Sequence, residues 1–324
     1  MRGSEVDGRI CVLGIDVGGT STKLAIVSGN GTILDGVRYP SVPSSSAVFL
    51  SNLCDRAGEL MRANACREIY AVGLGIKSLT DFRRQRVASS SLMPGEHDID
   101  LNTGISQRLG LPVVVDNDVN AMALAELLFG WGREARDFVY INVGTGVGAC
   151  PILNRRPYRG VRSWAGEISA CLLESGQEGR GPFELESVAS GSGCDLEARR
   201  LVPRYPDSAL GQLLLDAGRR LRSDELFEAC RGGDGLACAV VSNMAHSLAM
   251  ALLSFEALLD CGLYIFGGGV IDDWFLGLLG QELTSLCPDG AMQHGMRLSP
   301  TMLGTDDAGV IGAASLALFQ KRRR

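Results

Sequence analysis

The chain has 324 residues, of which 46% are hydrophobic and 21% are charged, as in a globular protein of about two domains. Its formal net charge of −6 argues against nucleic acid as the main partner. The ten cysteines are scattered, with no C-x-x-C pair and no Cys/His cluster. We therefore expect small, mostly buried thiols in a reduced compartment rather than a disulfide framework.

Two further segments indicate where in the cell the protein is located. Residues 1–9 are polar and lack the apolar core of a signal peptide. The most apolar stretch, 248–265, is interrupted by Ser254, Glu256 and Asp260, which is typical of a core helix and strand rather than a membrane span. These features predict a cytoplasmic protein with no membrane partner.

The first half of the chain alternates strand-like and helix-like segments. The predicted elements are strands at 10–17 and 22–28, a hairpin turn at Asn30-Gly31, a helix at 47–65, a strand at 69–76, a helix at 101–109, a strand at 112–115 and a helix at 121–129. In the first helix the spacing predicts the core positions Val48, Leu50, Leu53, Leu60 and Met61.

The second half repeats this organisation. Its predicted elements are strands at 138–143 and 147–153, a glycine-rich irregular stretch at 161–193, helices from 195 to about 259, a strand at 262–266 and a helix at about 308–320. Strands and helices that alternate in two halves predict two α/β domains with mixed sheets. Because both halves begin alike, we interpret them as a duplicated domain.

Each half begins with a glycine-rich turn between two strands. The first turn lies in residues 14–20, GIDVGGT, and the second in residues 140–148, YINVGTGVG. Backbone N–H groups in such turns bind anions, and glycine lets a phosphate approach closely. Two such turns facing one polyphosphate indicate phosphoryl transfer. Neither turn matches the P-loop or the dinucleotide-binding pattern.

Asp118 is the candidate general base. It lies in the polar segment 116–120, directly after a buried strand, where open α/β sheets bind their ligands. A carboxylate there would take the proton from an attacking hydroxyl group. The alternative is that Asp118 is the N-cap of the following helix. The residues alone leave these two interpretations equal.

Asp16 is the candidate magnesium ligand, because it ends the first strand beside the first glycine turn. The alternative is a buried Asp bonded to backbone N–H groups of its own turn. The second turn has the neutral Asn142 at the matching place, which favours the metal interpretation. Lys23 lies beyond the turn within a strand, and we interpret it as a surface lysine.

Five motifs in order resemble the ROK family of repressors and sugar kinases, in the actin-like ATPase superfamily. They are residues 14–20, 116–120 (DNDVN), 144–148 (GTGVG), 165–168 (AGEI) and 266–270 (FGGGV), and the match continues to 303–309. The resemblance implies two actin-like (ribonuclease H-like) domains with a nucleotide and sugar cleft between them. We place the first at 1–118 plus 305–324 and the second at 119–304.

The resemblance also implies an ATP-dependent kinase that uses Mg²⁺ and phosphorylates a hexose or N-acylhexosamine, at the 6-hydroxyl group in most members. The acceptor would be glucose, N-acetylmannosamine or allose, and the protein would be a homodimer. Asp118 matches the family's base. The implied sugar contacts are Asn117, Glu167, Glu186 and Ser91; the implied ATP contacts are Gly18, Gly19, Thr20, Gly144, Thr145, Gly146, Gly267, Gly268 and Gly269.

Departures from the family pattern fall near the sugar and zinc positions. Many members have a histidine where this chain has Ala170, and a sugar-binding asparagine where it has Ser91. The family's cysteine cluster is absent, so we expect no zinc. Because sugar discrimination depends on paired polar groups, these changes leave the sugar open.

Two functions other than catalysis compete with the kinase. ROK repressors carry an N-terminal helix-turn-helix, and a strand at residue 10 leaves no room for one. The alternative is a catalytically degenerate member that binds sugar or nucleotide as a sensor. The presence of Asp16, Asp118 and both glycine turns favours the kinase.

Overall fold

The structure, a computed structural model, describes residues 10–174, 181–216, 219–269, 271–287, 295–304 and 306–321. Contacts divide the chain into two compact units, the first of residues 1–136, 150–165 and 302–324, the second of residues 137–149 and 166–301. The domain boundaries predicted from the sequence stay a prediction. The contact-based division differs from them by placing 119–136, 150–165 and 302–304 in the first unit.

The strands are β1 Cys11–Val17, β2 Ser21–Ser28, β3 Ile33–Pro40, β4 Ile69–Ile76, β5 Leu79–Asp81, β6 Arg86–Ser89, β7 His97–Ile99, β8 Val113–Asn117, β9 Phe138–Val143, β10 Val147–Leu153, β11 Arg156–Pro157, β12 Leu172–Leu173, β13 Phe183–Glu184, β14 Leu263–Gly267 and β15 Arg297–Pro300. The α-helices are α1 Ser46–Ala63, α2 Leu101–Leu109, α3 Asp118–Phe129, α4 Glu186–Ala189, α5 Gly191–Leu201, α6 Ala209–Asp216, α7 Ser223–Arg231, α8 Gly235–Leu259, α9 Asp273–Leu286 and α10 Ala308–Lys321.

Two five-stranded sheets among the described residues share one pattern of strand order. The first sheet is ordered β3-β2-β1-β4-β8, and the second is ordered β11-β10-β9-β14-β15. In both sheets the third, fourth and fifth strands in this order are parallel. The first two are antiparallel to each other. This confirms the predicted mixed-sheet α/β class and agrees with a duplicated domain.

The register of the first sheet aligns the carboxyl ends of its parallel strands. Val17 lies opposite Ile76 of β4, and Ile76 lies opposite Asn117 of β8. Polar side chains at these ends therefore lie along one edge of the sheet, the usual ligand-binding edge of such sheets. Asp16 and Asp118 are both at this edge.

Helix α10 packs closely because glycines remove the side chains between it and its neighbours. A Cβ atom at Gly73 would collide with the carbonyl group of Ala313, and one at Gly312 would lie 2.8 Å from the backbone of Ala121 in α3. This packing explains why α3 belongs to the first unit. It also brings Gly309, in the first turn of α10, against the end of β1.

Helix α8 is the core helix of the second unit. By length and composition it could cross a membrane, but 61% of its most apolar window is buried in the structure. Its apolar side chains pack in the same cluster as Tyr264 of β14 and Phe275 of α9. The interpretation of 248–265 as a core helix and strand is therefore confirmed.

Helix α1 confirms the predicted element but not every predicted core position. Its buried face includes Phe49, Leu53 and Leu60. Val48 is 51% exposed, so its prediction as a core residue is wrong. A helix turns about 100° per residue, and Val48 therefore lies beside the face that contains Phe49.

Candidate active site

Three strand ends of the first unit are joined by hydrogen bonds. The backbone N–H of Lys77, directly after β4, donates to the carbonyl oxygen of Val17 at 3.0 Å. The side-chain amide of Asn117, at the end of β8, donates to the carbonyl oxygen of Ser78 at 3.0 Å. These bonds hold the ends of β1, β4 and β8 in one arrangement.

Asp118 is the first residue of α3, and its neighbour Asn117 is the N-cap. Asn117 Oδ1 accepts hydrogen bonds from the N–H groups of Val119 and Asn120 at 2.8 and 3.3 Å. The interpretation of Asp118 as an N-cap is therefore wrong. Asp118 Oδ1 accepts only from the adjacent Val119 N–H, at 3.0 Å, and within the described residues Oδ2 accepts no hydrogen bond.

The surroundings of Asp118 favour a carboxyl group that readily takes a proton. Burial raises its pKa above the usual value for Asp, opposed by the hydrogen bond from Val119 and the positive charge of Lys77. The negative charge of Asp116 raises the pKa further. A general base works best when its pKa lies near the working pH, so the direction of this shift suits that role.

Asp16 has no hydrogen-bond partner for its carboxylate among the described residues. Its pKa is raised to about 7, first by burial and then by the negative charge of Asp118, against the lowering effect of Lys23 and Arg38. A Cβ atom at position 309 would collide with the Asp16 carboxylate, so Gly309 makes room for it. The interpretation of Asp16 as a carboxylate bonded to its own turn is not supported.

The arrangement around Asp16 and Asp118 fits a divalent cation. The negative charge of Asp118 raises the pKa of Asp16, and a cation beside such carboxyl groups would stabilise their ionised forms. Oxygen ligands are those that Mg²⁺ prefers, and it keeps several waters when only one or two carboxylates are available. Asp16, which has no other described partner, would hold the ion directly or through water.

Lys23 is not a surface lysine, and that prediction was wrong. Its side chain is 16% exposed, and its ammonium group donates to the carbonyl oxygen of Asp306. Residues Asp16 and Lys23 are direct cross-strand partners in the β1–β2 pair. Arg38 of β3 also lies near Asp306, 3.5 Å from its carboxylate. Two cations therefore lie close enough to Asp16 to lower its pKa.

The first glycine turn and the Ser90–Ser91 turn lie on the same unit as Asp118. The turn at Gly18–Thr20 is largely exposed, with the Gly18 N–H bonded to the carbonyl oxygen of Ser21 at 3.1 Å. Ser90 donates through its hydroxyl group to the carbonyl oxygen of Lys77. Ser91 therefore lies close to the 77–78 segment that Asn117 also contacts, and its side chain is exposed.

In the second unit, the second glycine turn is fixed against the start of α5. The N–H of Gly191 donates to the carbonyl oxygen of Gly144 at 2.8 Å, and the N–H of Ser192 donates to that of Thr145 at 3.3 Å. Glycine at 191 favours this contact, because a Cβ atom there would lie 3.1 Å from the Gly144 oxygen, closer than an ordinary van der Waals contact.

The triple glycine at 267–269 lies against the same strand end. Gly268 has φ +128°, and a Cβ atom there would collide with the carbonyl group of Val143. Gly269 has open space around it and lines a cavity of about 500 Å³ in the second unit. Thr145, Ser192 and residues 220–224 line the same cavity. The structure thus brings Thr145 and Gly269 together, as a shared nucleotide site requires.

Glu186 and Glu167 are both linked to β10, the first through its side chain and the second through the preceding residue. The Glu186 carboxylate accepts from the N–H of Val147 at 3.2 Å, so it lies beside the second glycine turn. Glu167 is exposed and begins a short 3₁₀ helix, Ile168–Ala170. The preceding carbonyl oxygen, of Gly166, accepts from the N–H of Ala149 at 2.9 Å.

Comparison with known proteins identifies the family. The model of the ROK family matches residues 12–320. The chain belongs to the ROK family. This confirms the resemblance that the motifs indicated.

Several ROK proteins are similar to this chain over nearly its whole length. It is 29% identical to a glucokinase of Halalkalibacterium halodurans, with 95% of both chains covered. It is also 29% identical to the bifunctional enzyme NanE/NanK of Brucella melitensis, of which it covers 54%. A crystal structure of a ROK family glucokinase from Streptomyces griseus with glucose and AMPPNP has a TM-score of 0.78 at 27% identity, and covers 94% of this chain and 98% of that one.

Two sets of residues at these sites were missed by sequence reasoning. Lys77 and Arg38 were not predicted to act near the carboxylates, although Lys77 directly follows a strand end. The segment 220–224 lines the cavity of the second unit, and only the helix start at Ser223 had a sequence signal. Its proximity to Thr145 depends on tertiary packing across some 75 residues of chain.

The predicted absence of zinc stays a prediction for this ROK protein. In the part of the chain that the structure describes, no group of three or more His, Cys, Asp or Glu side chains could hold a metal ion. Residues 175–180, between Cys171 and Cys194, lie outside the described residues.

Proposed function

We propose that the acceptor of this ATP-dependent sugar kinase is a hexose or an N-acylhexosamine, phosphorylated at its 6-hydroxyl group. The observation that carries the proposal is the pair Asp16 and Asp118 at one sheet edge, where both carboxyl groups have raised pKa values and incomplete hydrogen bonding. The similarity to a glucokinase and to NanE/NanK supports a sugar acceptor of this size.

Asp118 is the proposed general base. Its Oδ2 atom, which accepts no hydrogen bond from the described residues, takes the proton from the acceptor hydroxyl as that oxygen attacks the γ-phosphorus. Its place in the first turn of α3, capped by Asn117, holds the carboxylate at the end of β8. Because burial raises its pKa, it binds the proton more strongly than an exposed Asp would.

Asp16 is the proposed residue that holds Mg²⁺. The ion, when bound, neutralises charge on the β- and γ-phosphates of ATP. The raised pKa of Asp16 means that a cation and a proton compete for its carboxylate. Lys23 and Arg38 add positive charge on the side of Asp16 that faces β2 and β3.

The nucleotide contacts are proposed for both glycine turns. Gly18, Gly19 and Thr20 in the first unit, and Gly144, Thr145 and Gly146 in the second, would contact phosphates. The cavity lined by Thr145 and Gly269 is large enough for an adenosine group. The similarity to a glucokinase crystallised with AMPPNP supports ATP as the donor. Whether both turns bind one nucleotide stays a prediction.

The sugar contacts are proposed to be Asn117, Ser91, Glu167 and Glu186. Asn117 uses its amide oxygen to cap α3, which leaves one N–H for a sugar oxygen. Glu186 uses one oxygen to bind the Val147 N–H, which leaves the other for a sugar hydroxyl. With Ala170 and Ser91 in place of larger polar residues, we expect weaker discrimination between glucose, N-acetylmannosamine and allose.

The location and assembly of the protein are also proposed. None of the ten cysteines, which all lie in the described residues, forms a disulfide bond, and this supports a reducing compartment such as the cytoplasm. A homodimer is implied by the family alone. Light scattering of the purified protein at micromolar concentration measures its mass, and a single protomer of 34.4 kDa would contradict the dimer.

The test is ADP release from ATP and Mg²⁺ with a panel of hexoses and N-acylhexosamines. We expect turnover with at least one sugar and loss of turnover in Asp118→Asn, with Asp55→Asn on the exposed face of α1 as the matched control. Phosphate located at the 6-position by NMR would support the assignment of the hydroxyl group. ATP binding without turnover on any sugar would instead favour the degenerate sensor.

A further inference from the structure

Asp116 is a fully buried carboxylate two residues before the proposed base. Its Oδ1 atom accepts from the backbone N–H of Asn117 at 2.8 Å and from the side chain of Asn120 at 2.9 Å. These bonds join the last residues of β8 to the first turn of α3, so Asp116 shapes the segment that holds Asp118. An ionised carboxylate at such a place is stable only when it is paired and hydrogen-bonded.

Arg159 supplies that pairing from a distant part of the chain. Its Nε and Nη2 atoms donate to Asp116 Oδ2 at 2.9 and 2.6 Å. The guanidinium carbon lies 3.7 Å from the centroid of the Phe82 ring, and the stacking fixes the plane of the group. The side chain is 15% exposed, so water screens the pair only weakly.

The segments that carry Phe82 and Arg159 are themselves held in place. The N–H of Phe82 donates to the hydroxyl oxygen of Ser163 at 3.2 Å. Three residues later, the side chain of Gln85 bonds to both the N–H and the carbonyl oxygen of Val115, at 2.8 and 3.3 Å. Val115 is in the edge strand β8, so Gln85 takes the place of a neighbouring strand there.

We propose that Arg159 is a positioning residue for phosphoryl transfer, which holds Asp118 in place through Asp116 and the start of α3. The inference rests on the proposed function, because it assumes that Asp118 is the base. Arg159 touches neither Asp118 nor any reacting atom, so its effect passes through the shape of residues 116–120. Without it, Asp116 keeps a buried charge with two fewer hydrogen bonds, and the turn must rearrange.

The test compares Arg159→Gln, Arg159→Lys and Asp116→Asn with the double variant Arg159→Gln/Asp116→Asn. A misplacement of about 1 Å costs about 100-fold in rate, so we expect kcat of Arg159→Gln to fall about 100-fold. The KM values for ATP and sugar should change less than about threefold, because a turnover loss without loss of binding is the signature of lost positioning. Each kcat is divided by the concentration of nucleotide-binding sites, which removes the effect of unfolded protein.

Two comparisons distinguish positioning from a merely structural role. Lys at 159 keeps the charge but loses the two-atom contact and the stacking, so it should recover only part of kcat. The double variant leaves no unpaired buried charge and should exceed Arg159→Gln in kcat. Arg155→Gln is the matched control, because Arg155 lies in the same segment and donates to backbone carbonyl oxygens of Gly132 and Ala135 instead.

A kcat per binding site within about threefold of wild type in Arg159→Gln, or an equal fall in Arg155→Gln, overturns the inference. These outcomes are separate from failure of the proposed function. If Asp118→Asn keeps full turnover, the base assignment is wrong. If Asp118→Asn is inactive and Arg159→Gln is not impaired, the kinase assignment stands and the positioning inference is wrong.

Discussion

The two glycine turns occupy equivalent places in sheets of the same strand order but have different electrostatics. In the first unit Asp16 is the penultimate residue of the strand before the turn, and its carboxylate has a pKa of about 7 and no described hydrogen bond. In the second unit the equivalent residue is Asn142, which carries no charge. The strand before the first turn can therefore bring a negative charge to a cation, whereas the strand before the second turn carries a neutral amide at the same place.

The packing around the ends of β1 and β9 also differs between the two units. Gly309 of α10 leaves space for the Asp16 carboxylate, and Asp118 lies close enough to raise its pKa. At the second strand end, Gly267 and Gly268 let the chain approach the hydroxyl group of Tyr140 and the carbonyl group of Val143. The end of β1 thus accommodates a charged carboxylate, whereas the end of β9 accommodates close backbone contacts from residues 267 and 268.

Substituting each of Asp16 and Asn142 by the other's residue type should have the largest effect on the kinetics. Asp16→Asn removes the proposed cation ligand, and loss of such electrostatic stabilisation lowers kcat by about 100-fold or more. Asn142→Asp adds a charge beside the proposed phosphate site and should raise the KM for ATP about tenfold while kcat changes less. Steady-state kinetics at several Mg²⁺ concentrations measures both effects.

The control for this exchange is Asp55→Asn, an exposed position on α1. Extra Mg²⁺ should restore part of the activity lost in Asp16→Asn only if the ion still binds ATP. Equal kinetic effects of Asp16→Asn and Asn142→Asp would contradict the difference drawn between the two turns.

In the second unit, Gly268→Ala should weaken nucleotide binding more than Gly269→Ala. A side chain at φ +128° is strained by about 1–3 kcal/mol, and its Cβ would also collide with the Val143 carbonyl group. Gly269 lines the cavity but has no atom within 4 Å of its added Cβ, so Gly269→Ala adds a methyl group nearby without this strain or collision. Calorimetric titration with ATP measures the dissociation constants, and equal values for the two variants would argue against this role of the turn.

In the first unit, Gly309→Ala should disturb catalysis without unfolding the protein. The added methyl group would push the Asp16 carboxylate away from its place, and we expect kcat to fall about tenfold, as for loss of a group that orients a metal ligand. Gly277→Ala in α9 is the control, since its Cβ would have no atom within 4 Å. If Gly309→Ala leaves both kcat and the Mg²⁺ dependence unchanged, the close contact with Asp16 has no catalytic importance.

The smallest expected effect is on the pH dependence of stability. The folded-state pKa of Asp16, about 7, is above its ordinary value of 3.8, so the folded state binds the proton more tightly than the unfolded state does. The contribution of Asp16 to stability is therefore fully present below pH 3.8 and is lost as pH rises towards 7. Denaturant unfolding without Mg²⁺ measures the free energy of unfolding between pH 3.8 and 7. We expect this free energy to fall less with rising pH in Asp16→Asn than in wild type. An equal fall in both proteins would contradict the prediction.

The local elements of both halves could be predicted because their signals are short-range. The strands β9 and β10 have the predicted bounds, and helices α2 and α3 end at Gly110 and Gly130 as expected. Apolar runs typical of strands, glycine turns and glycines at helix ends can each be recognised from a few consecutive residues. The places of Asp16 and Asp118 at strand ends followed from these signals alone.

The groups around the site could not be predicted, because they depend on register and on distant contacts. Lys23 was interpreted as a surface residue, since nothing in its neighbours shows that β2 sets it opposite Asp16. Arg159 lies 43 residues from Asp116, and its contact requires the folded chain. Asn117 was predicted to contact sugar, but its main described role is to cap α3.

The most direct test of the account is single-turnover phosphoryl transfer from prebound ATP to sugar in wild type and Asp118→Asn. The account places the proton acceptor in the first unit and nucleotide binding largely in the second. It predicts that Asp118→Asn binds ATP with an unchanged dissociation constant but transfers the phosphoryl group about 100- to 10,000-fold more slowly. Transfer at the wild-type rate, or loss of ATP binding in this variant, would contradict it.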